Sequence, residues 1–167
     1  MKITFIKVSM LEGKGYDAMK PLIFPIIESV TPKEVEIDYI DERIEELPAI
    51  IDSDVIALSV ETFAARRAYQ IAKKYKTDKN IIVMGGFHPT NLPDEALEYC
   101  DTVLIGDAED TWPEFIADYK KGKVREKYIS TNQLSLSKIN FNSQVFEGKK
   151  YNKIGLVQFS RGCKFDC

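Results

Sequence analysis

The sequence predicts an α/β protein built on a doubly wound parallel sheet. Two observations lead to this prediction. Five short runs rich in Ile and Val recur within the first 105 residues, and stretches with helical periodicity separate them. Alternation of strand and helix implies right-handed crossovers between parallel strands. Five strands in this length of chain fit the flavodoxin-like strand order 2-1-3-4-5.

The five predicted strands cover residues 3–8, 34–40, 54–59, 80–84 and 102–105. Three of these runs are almost continuously apolar, which is typical of strands covered by helices on both faces. The run at 34–40 (EVEIDYI) instead alternates between apolar and polar residues. This alternation predicts an edge strand with one face in water.

Helical segments fill the gaps between the strands. One helix is indicated by apolar residues at helical spacing after Thr62, which we predict to be its N-cap. These residues are Ala64, Ala68, Ile71, Ala72 and Tyr75. The first helix contains Pro21 and Pro25. Because two prolines do not fit one straight helix, we expect a late start or a kink before Val30.

Two further helix starts carry their own signals. Pro93 is followed by two acidic residues, as at the first turn of a helix. Thr111 and Glu114 have the spacing of a capping box.

The remaining chain predicts three regions. Residues 1–121 form the α/β domain, residues 122–153 are a polar connector with a possible strand at 124–129, and residues 154–167 begin a new unit. That last unit opens with a predicted strand at 154–159 (IGLVQF), just before two cysteines.

Charge and hydropathy exclude several partners. The formal net charge is -3, and no basic run lies on a predicted face, so we expect no nucleic-acid partner. No window approaches the roughly 20 apolar residues of a membrane span, and the N-terminal layout is not that of a signal peptide. Three cysteines do not form a disulfide framework. We therefore expect a cytoplasmic protein without a membrane partner.

A ligand would bind where the strands of such a sheet end, near the switch in strand order. Four loops meet there, at residues 9–15, 59–62, 85–90 and 106–110. The Gly-Gly pair in the third loop indicates either close approach of a ligand or a tight turn. Both interpretations remain open, as they do for Ser59, whose hydroxyl suits a ligand or a turn.

Other polar and aromatic residues near these loops have structural interpretations. Glu61 and Glu109 are solvated carboxylates that are also able to accept hydrogen bonds from an amide-rich ligand. His88, the only histidine, is a turn-stabilising or supporting side chain, because no second His or nearby Cys accompanies it. Trp112 packs at a helix start, and Cys100 is a small core residue.

Common functions of flavodoxin-like domains do not fit these loops. A phospho-receiver domain needs an Asp at the end of the third strand, where this sequence has Ser59. A flavodoxin holds the flavin phosphate in a Ser/Thr-rich first loop, but the loop at 9–15 has one serine. No nucleotide-binding glycine motif is present.

Cys163 and Cys167 form a Cys-x-x-x-Cys pair that follows a predicted strand, and thiolates this close can share one metal centre. The run resembles the start of the Cys-x-x-x-Cys-x-x-Cys loop of radical S-adenosylmethionine (SAM) enzymes. The pattern places a third cysteine three positions after Cys167. We therefore expect this chain to be a piece of a longer protein, truncated inside the motif.

Three further motifs resemble the cobalamin-binding domain that precedes the radical SAM domain in one large subgroup. They are the segments at 41–43 (DER), 85–90 (GGFHPT) and 103–113 (VLIGDAEDTWP). The resemblance covers nearly the whole chain. It implies that this domain holds cobalamin at the carboxyl edge of its sheet, facing the missing radical SAM barrel in cis.

The resemblance also implies chemistry for the full-length protein. A four-iron four-sulfur cluster would bind and cleave SAM, and methylcobalamin would donate a methyl group. Cys163 and Cys167 would be metal ligands, and the chain alone would be inactive. The first loop lacks the cobalt-binding His of methionine-synthase-type domains, so we expect base-off cobalamin without a protein His ligand. The alternative is the same fold without cobalamin, acting as a lid or substrate-docking domain.

We take the cofactor-binding residues from the four loops. They are Ser9, Leu11, Gly13, Ser59, Val60, Glu61, Thr62, Gly85, Gly86, His88, Gly106 and Glu109.

Overall fold

The computed structural model describes residues 1–10, 18–131 and 141–160. Their six strands are β1 (Lys2–Lys7), β2 (Glu36–Asp41), β3 (Val55–Ser59), β4 (Ile81–Gly85), β5 (Thr102–Ile105) and β6 (Lys127–Ile129). All neighbours pair in parallel, in the order β2-β1-β3-β4-β5-β6. The predicted fold class and the order of the five predicted strands are confirmed. β6 extends the sheet by one strand, inside the run where a strand was possible.

Five α-helices cover the two faces of the sheet. They are α1 (Ile23–Val30), α2 (Ala65–Tyr75), α3 (Phe87–Asn91), α4 (Pro93–Leu97) and α5 (Ala108–Lys120). One core lies between the sheet and α1 with α5, and the other lies between the sheet and α2 with α4. Both cores are apolar, which explains the nearly continuous apolar runs of the central strands. As predicted, β2 is an edge strand, and α1 starts late, with Pro25 in its first turn.

Two predicted helix caps are wrong. A 3-10 turn at Thr62–Ala64 precedes α2, so Thr62 lies inside a turn and its side chain makes no cap hydrogen bond. α5 begins at Ala108, with Asp107 at the N-cap position, which places Thr111 in the helix rather than before it. The Thr111 hydroxyl donates to the Asp107 carbonyl at 3.1 Å, and two acidic residues in the first turn favour the earlier start.

The chain after β6 returns to the face of the sheet that α1 and α5 cover. A 3-10 turn at Ser143–Phe146 buries Phe146 against Phe24 of α1. Residues 154–160 have no regular secondary structure, so the strand predicted at 154–159 is wrong for this chain. Neither edge of the described sheet pairs with that segment. Its backbone therefore has no neighbouring strand with which to form inter-strand hydrogen bonds. No described helix is both long and apolar enough to cross a membrane.

Candidate functional site

A cavity of about 860 Å³ opens at the carboxyl edge of the sheet, on the face covered by α1 and α5. Its volume lies within the range of about 300–1,000 Å³ that is usual for small-molecule sites. The switch in strand order lies between β1 and β3, and both strands contribute to the floor of the cavity. This is the position where doubly wound sheets bind ligands. We refer to the cavity as the crevice.

Two rows of side chains form the floor of the crevice. Parallel register places Lys7 beside Ser59, and Ser59 beside Gly85, in an outer row. The inner row lies two residues earlier on the same strands, about 7 Å deeper. It consists of Phe5, Ala57 and Val83. The centre of the floor is therefore made of small residues between larger flanking side chains.

Helices and a preceding loop form the opposite wall. Trp112 of α5 is fully buried at this wall, and its indole N–H donates to the Thr31 hydroxyl at 2.9 Å. The other wall residues on this side are Met19, Pro21, Leu22, Ile23, Ile26, Ile27 and Ala108. Apolar side chains thus line the wall that faces the inner row.

The two adjacent glycines have different roles. Gly86 has φ of +109°, and a Cβ there would lie 2.7 Å from the Val60 carbonyl oxygen, so the backbone requires glycine. Gly85 has no positive φ, and a Cβ would make only ordinary contacts with Leu104, the nearest at 3.6 Å. Therefore the fold does not require glycine at position 85. Its missing side chain leaves space in the crevice instead.

Charged groups surround the mouth of the crevice. The Lys7 ammonium donates to Glu61 Oε1 at 3.1 Å, and 14% of the Lys7 side chain is exposed. Arg43 lies at the same end, and acidic Asp107 and Glu109 line the end formed by α5. The mouth therefore carries cations over β1 and β2 and carboxylates beside β5.

A buried carboxylate holds Arg43 in place. Asp41 is fully buried and accepts from Arg43 Nε at 2.9 Å and from the Tyr151 hydroxyl at 3.0 Å. The hydrogen bond with Asp41 raises the pKa of the Arg43 guanidinium. Burial, followed by the charge of Asp41, raises the pKa of the Tyr151 phenol. Arg43 Nη2 also donates to the Met19 carbonyl at 3.0 Å, which ties this network to the wall of the crevice.

The structure brings half of the predicted cofactor-binding residues to the crevice. Those that line it are Ser59, Glu61, Gly85, Gly86, Gly106 and Glu109. Those that are described but do not line it are Ser9, Val60, Thr62 and His88. Leu11, Gly13, Cys163 and Cys167 lie outside the described residues. Among the described residues, no three His, Cys, Asp or Glu side chains cluster in a way that would hold a metal ion.

His88 lies on the other face of the sheet and supports the packing there. It is buried, and its Nε2 lies 2.6 Å from the Tyr69 hydroxyl of α2. Tyr69 in turn donates to Glu95 Oε1 at 2.9 Å, and burial, followed by this hydrogen bond, raises the pKa of Tyr69. His88 therefore lies outside the crevice and contributes to the packing of α3 against α2.

Sequence reasoning missed the apolar lining of the crevice. Phe5, Val83 and Trp112 are indistinguishable in sequence from core residues, and they are indeed buried. One available signal was that β3 and β4 place small residues, Ala57, Ser59 and Gly85, next to one another on the same face of the sheet.

The fold and the cavity define a doubly wound α/β domain with a crevice at the carboxyl edge of its sheet. Residues 10–116 match the B12 binding domain, and the chain belongs to this family.

Three curated relatives are similar to this chain. Bacteriochlorophyllide d C-12(1)-methyltransferase of Chlorobaculum tepidum is 29% identical over 96% of this chain and 37% of its own length. Bacteriochlorophyllide d C-8(2)-methyltransferase of the same organism is 24% identical over 85% of this chain and 33% of its own length. The uncharacterized methyltransferase PH0819 of Pyrococcus horikoshii is 29% identical over 88% of this chain and 39% of its own length. The chain thus spans well under half the length of these relatives.

Proposed function

We propose that this domain binds cobalamin with the nucleotide tail in the crevice, and that the whole protein uses it in methyl transfer. The observation that carries the proposal is the open crevice at Gly85, where the fold itself does not require a missing side chain. Family membership supports the choice of ligand. When bound, methylcobalamin supplies a methyl group that can be transferred.

The chain's own residues would hold the tail by two kinds of contact. The Ser59 hydroxyl lies at the crevice, and no described residue hydrogen-bonds to it, so it is available to a ligand. Lys7 keeps further N–H donors beyond the one given to Glu61, and its ammonium suits the phosphodiester of the nucleotide tail.

No imidazole of this chain would lie below cobalt. His88 is the only histidine in the sequence, and it is paired with Tyr69 on the far face of the sheet. A base-off, His-off state follows if the tail occupies the crevice.

We infer further that the whole protein joins this domain to a radical SAM barrel. The Cys163 and Cys167 spacing supports an iron-sulfur cluster loop that follows the domain. The three relatives are named as methyltransferases, and each is more than twice as long as the segment it shares with this chain. The cluster, SAM and a methyl acceptor therefore belong to the full-length protein, and the 167-residue chain alone should not turn over.

Binding can be tested with hydroxocobalamin and a variant that fills the crevice. The wild-type chain should keep a corrin absorption spectrum after desalting, at close to one equivalent. Gly85→Val adds bulk to the floor at a position with room for a Cβ, so it should fold but lose most of the bound corrin. Absorption spectra after desalting measure the occupancy, and circular dichroism confirms folding.

Gly155→Val is the matched control. No atom lies within 4 Å of a Cβ at Gly155, and this position does not line the crevice, so the variant should retain corrin as the wild type does. A wild-type chain that never retains corrin would contradict the proposal and favour a lid or docking domain without cofactor. Equal retention by Gly85→Val would show that the tail does not enter this crevice.

A further inference from the structure

We propose that Arg43 and Lys7 form a binding site for the phosphate of the nucleotide tail, and that Tyr151 positions Arg43 for this role. This inference rests on the proposed function, because the phosphate belongs to the cobamide that would enter the crevice. It adds Arg43 to the residues that would hold the tail. Both cations line the crevice at its mouth, where 29% of the Arg43 side chain and 14% of the Lys7 side chain are exposed.

Lys7 and Arg43 reach the mouth from neighbouring strands. Lys7 ends β1, and its register partner is Asp41, which ends β2 two residues before Arg43. Neighbouring strands lie about 4.8 Å apart, which is less than the length of either cationic side chain. Ser59 lies beside Lys7 on β3, and Gly85 follows on β4. A phosphate held over β1 would therefore allow the tail to continue across Ser59 towards Gly85.

Three of the five N–H groups of the Arg43 guanidinium are engaged. Nε donates to Asp41 Oδ1 at 2.9 Å, and Nη2 donates to Asp41 Oδ2 at 2.6 Å and to the Met19 carbonyl at 3.0 Å. No described residue accepts a hydrogen bond from Nη1. Arg43 therefore keeps two donors for a ligand, while a fully buried carboxylate fixes the plane of its guanidinium.

Lys7 and Arg43 are the two cations among the described residues that line the crevice. Each is paired with one carboxylate, so a phosphate would be held by their unused N–H donors more than by net charge. Three lining residues are carboxylates, which repel an anion: Glu61, Asp107 and Glu109. Four have uncharged polar side chains, which form weaker hydrogen bonds with an anion than cations do: Ser59, Thr90, Gln158 and Ser160. The phosphate should therefore bind at the end of the mouth over β1 and β2.

Tyr151 holds the carboxylate that orients Arg43. Its hydroxyl donates to Asp41 Oδ2 at 3.0 Å, and the same oxygen accepts from Arg43 Nη2. Two residues before Tyr151, Lys149 donates to Glu45 at 2.7 Å, and Glu45 accepts from the Asp41 backbone N–H at 2.9 Å. This stretch of chain thus fixes both the backbone and the carboxylate at the end of β2. Because Tyr151 does not line the crevice, it would act on the ligand only through Arg43.

Three corrinoids separate the phosphate from the rest of the ligand: cobinamide, which ends before the phosphate, cobinamide phosphate, and cobalamin. The first two both lack the base, so the ratio of their dissociation constants measures the contribution of the phosphate. Equilibrium dialysis in a phosphate-free buffer, followed by corrin absorption, gives the three constants. The wild-type chain should bind cobinamide phosphate about fivefold to thirtyfold more tightly than cobinamide. Added salt should reduce this ratio, since the site is partly exposed.

Arg43→Gln tests the guanidinium directly. It should lower the ratio by at least about threefold and weaken cobalamin to a similar extent, while the dissociation constant of cobinamide stays within about twofold of the wild-type value. Arg66→Gln is the matched control. Arg66 is exposed on α2, outside the crevice lining, so this variant changes the net charge equally and should keep the wild-type ratio. Circular dichroism confirms that both variants fold.

Tyr151→Phe tests the positioning role without removing a cation. Loss of the hydroxyl should loosen Asp41 and Arg43 and lower the ratio by about twofold to threefold, with cobinamide binding unchanged. Tyr119→Phe removes a phenol hydroxyl from the same core, in the last turn of α5 and outside the crevice lining. It should leave the ratio at the wild-type value. If Tyr151→Phe behaves like Tyr119→Phe, Tyr151 has no positioning role.

The outcomes separate this inference from the proposed function. A ratio close to one in the wild-type chain, or a ratio that Arg43→Gln leaves unchanged, would overturn the phosphate site but leave cobalamin binding intact. Equal weakening of cobinamide and cobinamide phosphate by Arg43→Gln would mean a purely structural role, which also overturns the site. Failure of all three corrinoids to bind would overturn the proposed function itself. If Arg43→Gln does not fold, the wild-type ratio and the two tyrosine variants still decide.

Discussion

At the scale of single residues, Gly85 and Gly86 differ in what the backbone requires of them. The φ of +109° and ψ of −170° at Gly86 lie in a region that is essentially limited to glycine. This conformation brings the His88 N–H to the Val60 carbonyl at 3.1 Å and starts α3. Gly85 ends β4 in an ordinary strand conformation, and its contribution is the space that it leaves.

The two glycines therefore predict opposite results for the same substitution. Gly86→Ala should lower the free energy of unfolding by at least about 2 kcal/mol, because of backbone strain and the clash with Val60. Gly85→Ala should change it by less than about 1 kcal/mol, since its Cβ makes only ordinary contacts. Urea unfolding followed by circular dichroism measures both. Equal losses of stability would mean that the crevice is tighter at Gly85 than described.

Predictions for single residues succeeded where the residue's own backbone conformation determines its role. They failed where contacts with other residues determine it. The Gly-Gly pair indicated either a positive φ or close approach of a ligand, and Gly86 has the positive φ. The capping assignments to Thr62 and Thr111 were wrong, because helices start wherever earlier residues can already take up the helical conformation. The position of His88 depends on its contact with Tyr69. The two residues are too far apart in the sequence for that contact to be predicted from it.

At the scale of elements, each of the five strands predicted for the α/β domain has a counterpart. Most of these strands are buried on both faces, and such a strand has its own apolar run in the sequence. The short helix α3 was missed, since Gly-Gly followed by Phe-His-Pro is also typical of a loop. The segment at 154–159 has the apolar composition of a strand but no partner in the described sheet. Composition predicts strand propensity, whereas pairing decides whether a strand forms.

The segment from 141 to 153 stabilises the wall of the crevice. The Phe146 ring stacks on Phe24 of α1 and makes an edge-to-face contact with the Tyr151 ring. Asn152 N–H donates to the Ala18 carbonyl at 3.0 Å, and Lys149 donates to Glu45 at 2.7 Å. These contacts pack residues 141–153 against α1 and the residues that precede it.

Truncation of Phe146 should accordingly destabilise the protein. Phe146→Ala removes a 5% exposed ring and should cost about 3 kcal/mol, because it loses apolar burial and leaves a cavity beside α1. Phe63→Ala is the matched control, since that ring is 67% exposed and should cost less than about 1 kcal/mol. Urea unfolding measures both. A loss at Phe146 no larger than the loss at Phe63 would mean that this segment does not brace α1.

At the scale of the whole molecule, the two faces of the sheet differ in how their helices pack. α2 and α4 close one face with a continuous core, whereas α1 and α5 leave the crevice open at the carboxyl edge of the other. The strand order that places a site at this edge could be predicted from the alternation of elements alone. The depth and the apolar lining of the crevice could not be predicted from the sequence, because they depend on the distance between the α1–α5 layer and the crevice floor.

Because the crevice lies between the sheet and the α1–α5 layer, ligand binding should stabilise the whole fold. A ligand that binds only the folded state at 100 times its dissociation constant adds about 2.7 kcal/mol. In a protein of this size, that corresponds to a rise in Tm of about 5–10 °C. Differential scanning calorimetry with saturating hydroxocobalamin measures the rise, and Gly85→Val, whose floor is filled, should show almost none. Cobinamide should give a smaller rise than cobalamin, because it lacks the nucleotide tail that would occupy the crevice. An equal rise with Gly85→Val would place the stabilising contact outside the crevice, and a corrin-loaded protein with an unchanged Tm would mean that binding does not couple the helical layer to the sheet.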